Sequence, residues 1–330
     1  DGSVLRSGSS THVVEATLCS GTPALFYRMA TMAAPRCVAD MIFRRDMMGP
    51  SFGNIAATVT GLLLFEKLCL DVLLPPLAPQ LESLVLERGL PTFLLTGSVL
   101  LFTVAFWGVG SLFALPALLG ASRWKIQADR RVDHKALLRS MPLICLNFAL
   151  GMVIAPVVFY SFLPRESFDF RRTPNTRTLV RDVLVWLVVE EVMFFYTHRW
   201  MHENKRMYAA VHKLHHTWTA PISYVAIYCH PLEHVVSNLS PLLAGPVLCG
   251  SHVAAIGVFS FLGIVHTLAV HSGYWICDDN GMHDEHHAKF TVNYGVTGVL
   301  DMWYGTYRLP AGAAGAEDRA AAAANPKKSD

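Results

Sequence analysis

Charge is scarce in this chain. Asp, Glu, Lys and Arg make up 16% of its 330 residues, against roughly 25% in a soluble domain. The shortage argues against an ordinary water-soluble globule. A net charge of only +2 excludes a strongly basic nucleic-acid binder. Cysteine pairing is missing as well. Cys19, Cys37, Cys69, Cys145, Cys229, Cys249 and Cys277 are odd in number and include no Cys-x-x-Cys. That pattern excludes a disulfide framework and a thiolate zinc site. No His-Glu-x-x-His unit occurs either, so the glutamate base of a zinc hydrolase is lacking. Residues 1–50 hold no run long and apolar enough for a secretory leader.

Long apolar runs are what the chain has instead, with 52% hydrophobic residues. Residues 91–120 carry no charge and exceed the roughly 30 Å hydrocarbon core of a bilayer when helical. Gly108 and Gly110 mark the place for a break in them. Residues 140–163 form a second uncharged stretch, with Pro142 and Pro156 inside. Residues 179–197 form a third, despite Arg181, Asp182, Glu190 and Glu191. Residues 235–270 read as two short helices joined by a turn at Gly250-Ser251-His252, a hairpin dipping into the membrane. Residues 54–76 include Glu66, Lys67 and Asp71, and fit a span or an interfacial helix equally.

The loop 121–139 carries Arg123, Lys125, Arg130, Arg131, Lys135 and Arg139, which predicts that it is cytosolic. Two spans later the chain returns to that side near His198. The loop 164–178, with Arg165, Arg171, Arg172 and Arg177, then falls on the far side. The expectation is an all-α, polytopic membrane helical bundle with a histidine-rich di-metal cap facing the cytosol. Residues 1–50 read as a peripheral segment, 51–178 as membrane helices, 179–310 as the catalytic region, and 311–330 as a low-complexity tail. The tail ends in Lys327-Lys328-Ser329-Asp330, which resembles a dilysine retrieval signal of the endoplasmic reticulum.

Of the 15 histidines, only His12 and His134 lie outside residues 198–287. His198 and His202 are four apart, one helical face. His212, His215 and His216 stand at i, i+3 and i+4, and His283, His286 and His287 repeat that pattern. Metal ions need several neutral imidazoles converging, and helix-face spacing supplies them in sets. A solvated or pH-sensing cluster would not duplicate the spacing. Eight imidazoles are too many for one ion and suit two, or one ion with a large outer shell. Glu191 lies seven residues before His198 and eleven before His202, so it returns to nearly the same face at 100° per residue. It is placed to accept an imidazole N–H and orient a ligand. Glu190 points about 80° away.

The runs His198-Arg-Trp-Met-His202, His212-Lys-Leu-His-His216 and His283-Asp-Glu-His-His287 resemble the three boxes of the fatty acid hydroxylase/sterol desaturase superfamily. Ala220-Pro221, Cys229-His230-Pro-Leu-Glu233, His271-Ser-Gly-Tyr274 and Asn293-Tyr-Gly295 are similar to its sterol 4-methyl oxidase-like branch. The resemblance implies a non-haem centre of two iron ions, O2 as oxidant, and NAD(P)H-derived electrons delivered by a b-type cytochrome or its reductase. It implies residence in the endoplasmic reticulum membrane. It implies a lipid or sterol substrate taken from the bilayer, with no nucleic acid involved. The ligands it implies are His198, His202, His212, His215, His216, His271, His283, His286 and His287. His230 is a further ligand or the cap of a helix starting at Pro231, and Glu233 is a candidate to support a ligand. His234 is a weaker match, and His252 and His266 read as structural. The chain departs from the family at Trp275, where related hydroxylases carry a histidine, and in a shortened segment 275–282.

The activity this implies is oxidation of a lipid C–H bond, with a 4-methyl sterol preferred over a fatty acyl or sphingolipid substrate. A non-catalytic scaffold derived from the family is the reading from another class. A b-haem carrier would need single histidines facing each other on two spans, which the clustering opposes.

Overall fold

The computed structural model describes residues 50–276 and 281–310. The expected peripheral N-terminal segment, the low-complexity tail with its dilysine end, and residues 277–280 of the shortened segment lie outside these.

Helices and the loops between them make up the described residues, with one isolated bridge between Lys125 and Tyr274 and no strand among them. Helix α1 (Pro50–Leu68) continues through a π-helical turn, Cys69–Leu73, into α2 (Leu74–Arg88). Gly89 ends α2. Helix α3 (Leu90–Phe102) runs through a π-helical stretch, Thr103–Val109, into α4 (Gly110–Leu118). The break expected near Gly108 and Gly110 takes this form, a widened turn inside a continuous rod. Helices α5 (His134–Phe162) and α6 (Thr176–Glu203) follow. Asp133 caps α5 by accepting from the Lys135 and Ala136 amides, and Asn175 caps α6 by accepting from Thr178. Asn204 ends α6 and caps the short α7 (Lys205–Ala210). A helical turn at Pro231–Glu233 leads through a π-helical segment into α8 (Ser240–Cys249). Gly250 turns the chain in the left-handed region, and α9 (Val253–Val270) runs back. Two short helices, α10 (Met282–Lys289) and α11 (Val299–Tyr304), close the chain.

Among the described residues three rods are long and apolar enough to cross a membrane: Leu90–Leu118, His134–Phe162 and Val253–Val270. Helix α6 matches them in length but not in composition, because of its charges. It is laid among the others instead. Gly245 of α8 sits so close to α6 that a Cβ there would stand 2.7 Å from Trp186 Cα. Asp182 of α6 accepts from Ser251 Oγ at 2.7 Å and from Arg181.

The expected hairpin is there, but it does not stop short. Its turn reaches the loop after α5, where Ser167 Oγ donates to the Gly250 carbonyl and His252 Nε2 bonds the Asp169 carbonyl, both at 3.0 Å. Helical residues on both arms make them long enough to reach that loop. The ambiguous stretch 54–76 also joins the bundle, since Leu70, Leu74 and Ala78 pack with Phe159, Trp186, Leu243 and Phe259. Lys67 and Asp71 there form an ion pair, and Glu66 is fully buried. Outward faces carry exposed Leu112, Leu119, Leu138 and Phe162, the surface lipid tails would cover. In such a setting helices associate by close packing and hydrogen bonds more than by excluding water.

Candidate metal centre

Nine histidines from four segments converge at the end of the bundle where α6 stops. His198, His202, His212, His216 and His286 form one group, and His215, His271, His283 and His287 form another. Within each group the ligating nitrogens lie within 4.8 Å of one another. His212 Nε2 is 2.8 Å from His202 Nε2 and 2.9 Å from His216 Nε2. His283 Nε2 is 2.9 Å from His271 Nε2.

In five of the nine rings these contacts are not ordinary hydrogen bonds, because Nδ1 is already committed to a main-chain carbonyl, while His216 Nδ1 meets no partner. Nδ1 of His198 meets the Tyr294 carbonyl at 2.8 Å, that of His271 the Thr267 carbonyl at 2.7 Å, and that of His286 the Val292 carbonyl at 2.7 Å. His287 and His215 do the same with the Trp218 and Tyr228 carbonyls. A carbonyl can only accept, so Nδ1 carries the proton and Nε2 presents a lone pair. Lone pairs packed together repel unless a cation sits between them. The donor set therefore fits two metal ions. Burial also holds His215 at about 4 and His271 at about 3, and pushes His283, His286 and His287 well down. All are neutral near pH 7, the form that binds metal.

The two His-x-x-His-His boxes do not each present one face to one ion. His216 joins the first group while His215 joins the second, and His286 and His287 divide likewise. Adjacent helical residues diverge by about 100°, so each neighbouring pair straddles both groups. The box 212–217 is moreover a tight 3-10 turn. Each box ties the two groups together.

Glu233 is where a supporting carboxylate belongs: its Oε1 lies 2.8 Å from His212 Nδ1, both side chains buried. The expectation for Glu191 is overturned. Its carboxylate meets no imidazole; Oε2 accepts from the Val296 and Thr297 amides at 2.9 and 2.8 Å, and Oε1 from Leu300 at 3.0 Å. The loop entering α11 fills the space the helical-wheel argument had assigned to a ring. Glu191 thus reaches His198 indirectly, through the loop whose Tyr294 carbonyl holds that ring. Gly295 lets this loop approach, since a Cβ there would meet Glu191 Oε1 at 2.6 Å.

Asp301 was not singled out by sequence, and it anchors the same loop. It accepts from the Tyr294 and Gly295 amides at 2.8 and 2.7 Å. Asn293, in the left-handed region, donates to the Met282 and Arg308 carbonyls and so fixes the start of α10. Only the Asn-Tyr-Gly spelling hinted at this turn.

His230 takes the capping reading. It is exposed, its Nδ1 accepts from the Leu232 amide, and it stands outside both groups. His234 also stands outside them. His252 caps α9 by accepting from Ala254. Trp275 adds no ligating atom; its amide donates to the Trp124 carbonyl, and its ring lies over Gly281. The second group therefore has four imidazoles and the first has five.

A cavity of about 940 Å³ runs from the apolar interior of the bundle to this centre. Phe102, Phe148, Leu184, Val188 and Leu262 line it along the way, and His198, His212, His215, His271 and His283 border it at the metal end.

A family model described as fatty acid hydroxylase matches residues 183–306, which hold all nine histidines. Fatty acid hydroxylase domain-containing protein 2 of Homo sapiens is 34% identical over 236 residues, 67% of this chain and 71% of that protein. Fatty acid hydroxylase ahd1 of Mycosarcoma maydis is 32% identical, covering 63% of this chain and 56% of that one. Methylsterol monooxygenase 1 of Rattus norvegicus is 28% identical, covering 59% and 74%. No solved structure matches.

Proposed function

The chain belongs to the fatty acid hydroxylase family, and on that premise we propose that it is a di-iron, O2-dependent membrane oxygenase that oxidises the methyl group of a 4-methyl sterol. One observation carries this reading: nine imidazole nitrogens converge at the end of an apolar cavity that opens among membrane helices. Iron held by the two groups would supply the oxidising power, with O2, two electrons and two protons converting a C–H bond to C–OH and releasing one water.

The chain's own residues do the rest. The carbonyls of Tyr294, Tyr228, Thr267, Val292 and Trp218 hold the rings in the ligating tautomer. Glu233 holds His212 and balances charge beside it. Phe102, Phe148, Leu184 and Leu262 offer a lipid an apolar, water-poor path. The bilayer delivers the substrate sideways, and a b-type cytochrome or its reductase delivers NAD(P)H-derived electrons. The enzyme sits in the endoplasmic reticulum with the centre facing the cytosol.

The 4-methyl sterol assignment draws support from the similarity to methylsterol monooxygenase 1. Similarity to fatty acid hydroxylase ahd1 supports a fatty acyl substrate instead. Two measurements test the proposal. Purified protein should carry about two irons per chain and no haem absorbance; stoichiometric zinc counts against it. Cells lacking the protein should accumulate 4-methyl sterols. Unchanged sterols with depleted hydroxylated acyl chains move the assignment to the fatty acyl reading.

A further inference from the structure

The cavity wall carries two buried polar atoms that the fold leaves without a full hydrogen-bond partner. Asn147, on α5, is fully buried. Its Nδ2 donates to the carbonyls of Ile227 and Cys229, at 2.8 Å each. Those two bonds fix the amide, so Oδ1 is the free end, and it meets no donor. His234 is 4% exposed. Its Nδ1 lies 3.4 Å from Asn238 Nδ2, which can only donate, so the ring proton belongs on Nε2. Nε2 points toward the main-chain carbonyl of Asn147 but falls outside hydrogen-bond geometry with it, so its proton is at best weakly held there. Both side chains line the cavity. Ser237, by contrast, already donates to Thr197 there.

An unsatisfied buried polar group costs about 1–3 kcal/mol, and two neighbours in one apolar wall call for a shared partner. What they ask of that partner is specific. Asn147 Oδ1 needs a donor, and His234 Nε2–H needs an acceptor. One hydroxyl supplies both; a ketone lacks the donor, a carboxylate offers acceptors only, and a hydrocarbon offers neither. Position adds a second constraint. Glu233, next to His234, holds His212, and Tyr228, between the two carbonyls that fix Asn147, holds His215. The polar pair therefore sits on or against the same two segments that hold these rings from their Nδ1 side.

We propose that Asn147 and His234 form a hydroxyl-binding subsite in the cavity wall, so that the enzyme selects a lipid alcohol over a ketone or a hydrocarbon of the same shape. The hydroxyl donates to Asn147 Oδ1 and accepts from His234 Nε2. A sterol carrying a free hydroxyl meets this requirement, whereas a fatty acid, with its ionised end an acceptor only, does not. The inference rests on the lipid-oxygenase reading, and it adds the group by which the lipid is chosen.

The test is binding, read without turnover. The purified full chain is titrated with a 4-methyl sterol carrying the 3-hydroxyl, and with its 3-keto and 3-deoxy analogues. The metal content of the same preparation is measured in parallel. The alcohol should bind about tenfold or more tightly than either analogue. His234→Phe should abolish that preference while leaving deoxy binding and metal content in place. It is chosen because it spares the Asn147 bonds to Ile227 and Cys229. Asn147→Leu should do the same, and the unsubstituted chain decides the question by itself if that variant does not fold. Equal binding of the three lipids by a metal-loaded protein overturns this subsite and spares the oxygenase; a water bridging the two side chains would give that result. A preference that survives His234→Phe also overturns it. Failure of the oxygenase reading shows separately, as a chain without iron.

Discussion

Two glutamates near the centre do different work, and substitution should separate them. Glu233 touches a ligand directly through His212 Nδ1. Glu233→Ala frees that ring to turn, and loss of such a partner typically lowers metal affinity about 10–100-fold. The folded chain should survive; a metal titration that matches the unsubstituted protein would show the contact to be idle. Glu191 instead accepts three main-chain N–H groups. In Glu191→Gln an amide NH2 replaces one oxygen and faces donors it cannot bond. The expected loss is about 1–3 kcal/mol for each amide left unpaired, seen as a lower unfolding temperature. Metal should leave along with the fold of residues 294–300, not before it. Loss of metal at an unchanged melting temperature would return Glu191 to the role that helical periodicity first gave it.

At the scale of elements, the sequence made the ligands legible and left their grouping hidden. Histidine identity and spacing pick out eight of the nine residues, because coordination demands that residue type whatever the fold, and the resemblance at His271-Ser-Gly-Tyr274 adds the ninth. The division into five and four depends on how α6, the 3-10 turn and α10 meet, and no periodicity carries that information. The carbonyls of Tyr294, Tyr228 and Trp218 that fix the rings are invisible for another reason: every residue has a carbonyl. The apolar rods were readable from hydropathy, whereas the tight seam between α6 and α8 rests on one missing side chain, at Gly245. Gly245→Ala would push a methyl group against Trp186 Cα, and main chain cannot rotate away. Overpacking of this kind costs about 1–3 kcal/mol. Gly97→Ala is the control, since a Cβ there meets nothing within 4 Å, and the helix should gain up to about 1 kcal/mol. Thermal unfolding of both in one detergent checks the pair. Equal melting temperatures would mean the seam has slack.

Across the whole molecule, burying so many imidazoles ties stability to pH. An unfolded histidine titrates near 6.5, while the fold holds His215 at about 4 and His271 at about 3. Above pH 6.5 both states are neutral and the full stability is present. As pH falls from about 6.5 toward 3, the unfolded chain takes up protons that the fold refuses, and stability drains away. Metal should be released over the same range, because proton and ion compete for Nε2. Melting temperatures at pH 7.5, 6.5 and 5.5 should fall in that order, most steeply across the last interval. A flat series would mean that the ring nitrogens are open to water.

The bundle also has two ends, and their charges differ. At one end the loop after α4 is stitched to the histidine segments. The Ile126 amide donates to the Gly273 carbonyl at 2.9 Å, and Gln127 Nε2 donates to Asp284 Oδ1 and the Thr219 carbonyl at 2.8 Å each. Arg123, Lys125, Arg130, Arg131, Lys135 and Arg139 therefore share that end with exposed Lys205, Arg206, Lys213 and Lys289. Helix α5 then carries the chain about 44 Å at 1.5 Å per residue. The loop it reaches holds Arg165, Arg171, Arg172 and Arg177 and meets the α8–α9 turn at Gly250 and His252. Basic residues are more numerous at the histidine end, and from this the positive-inside rule predicts a cytosolic location for that end. A glycosylation acceptor inserted near Thr173 should be modified in microsomes, and one inserted near Asp129 should not. The opposite pattern would set the metal centre in the lumen, beyond the reach of a cytosolic electron donor, and the route proposed for its electrons would fall with it.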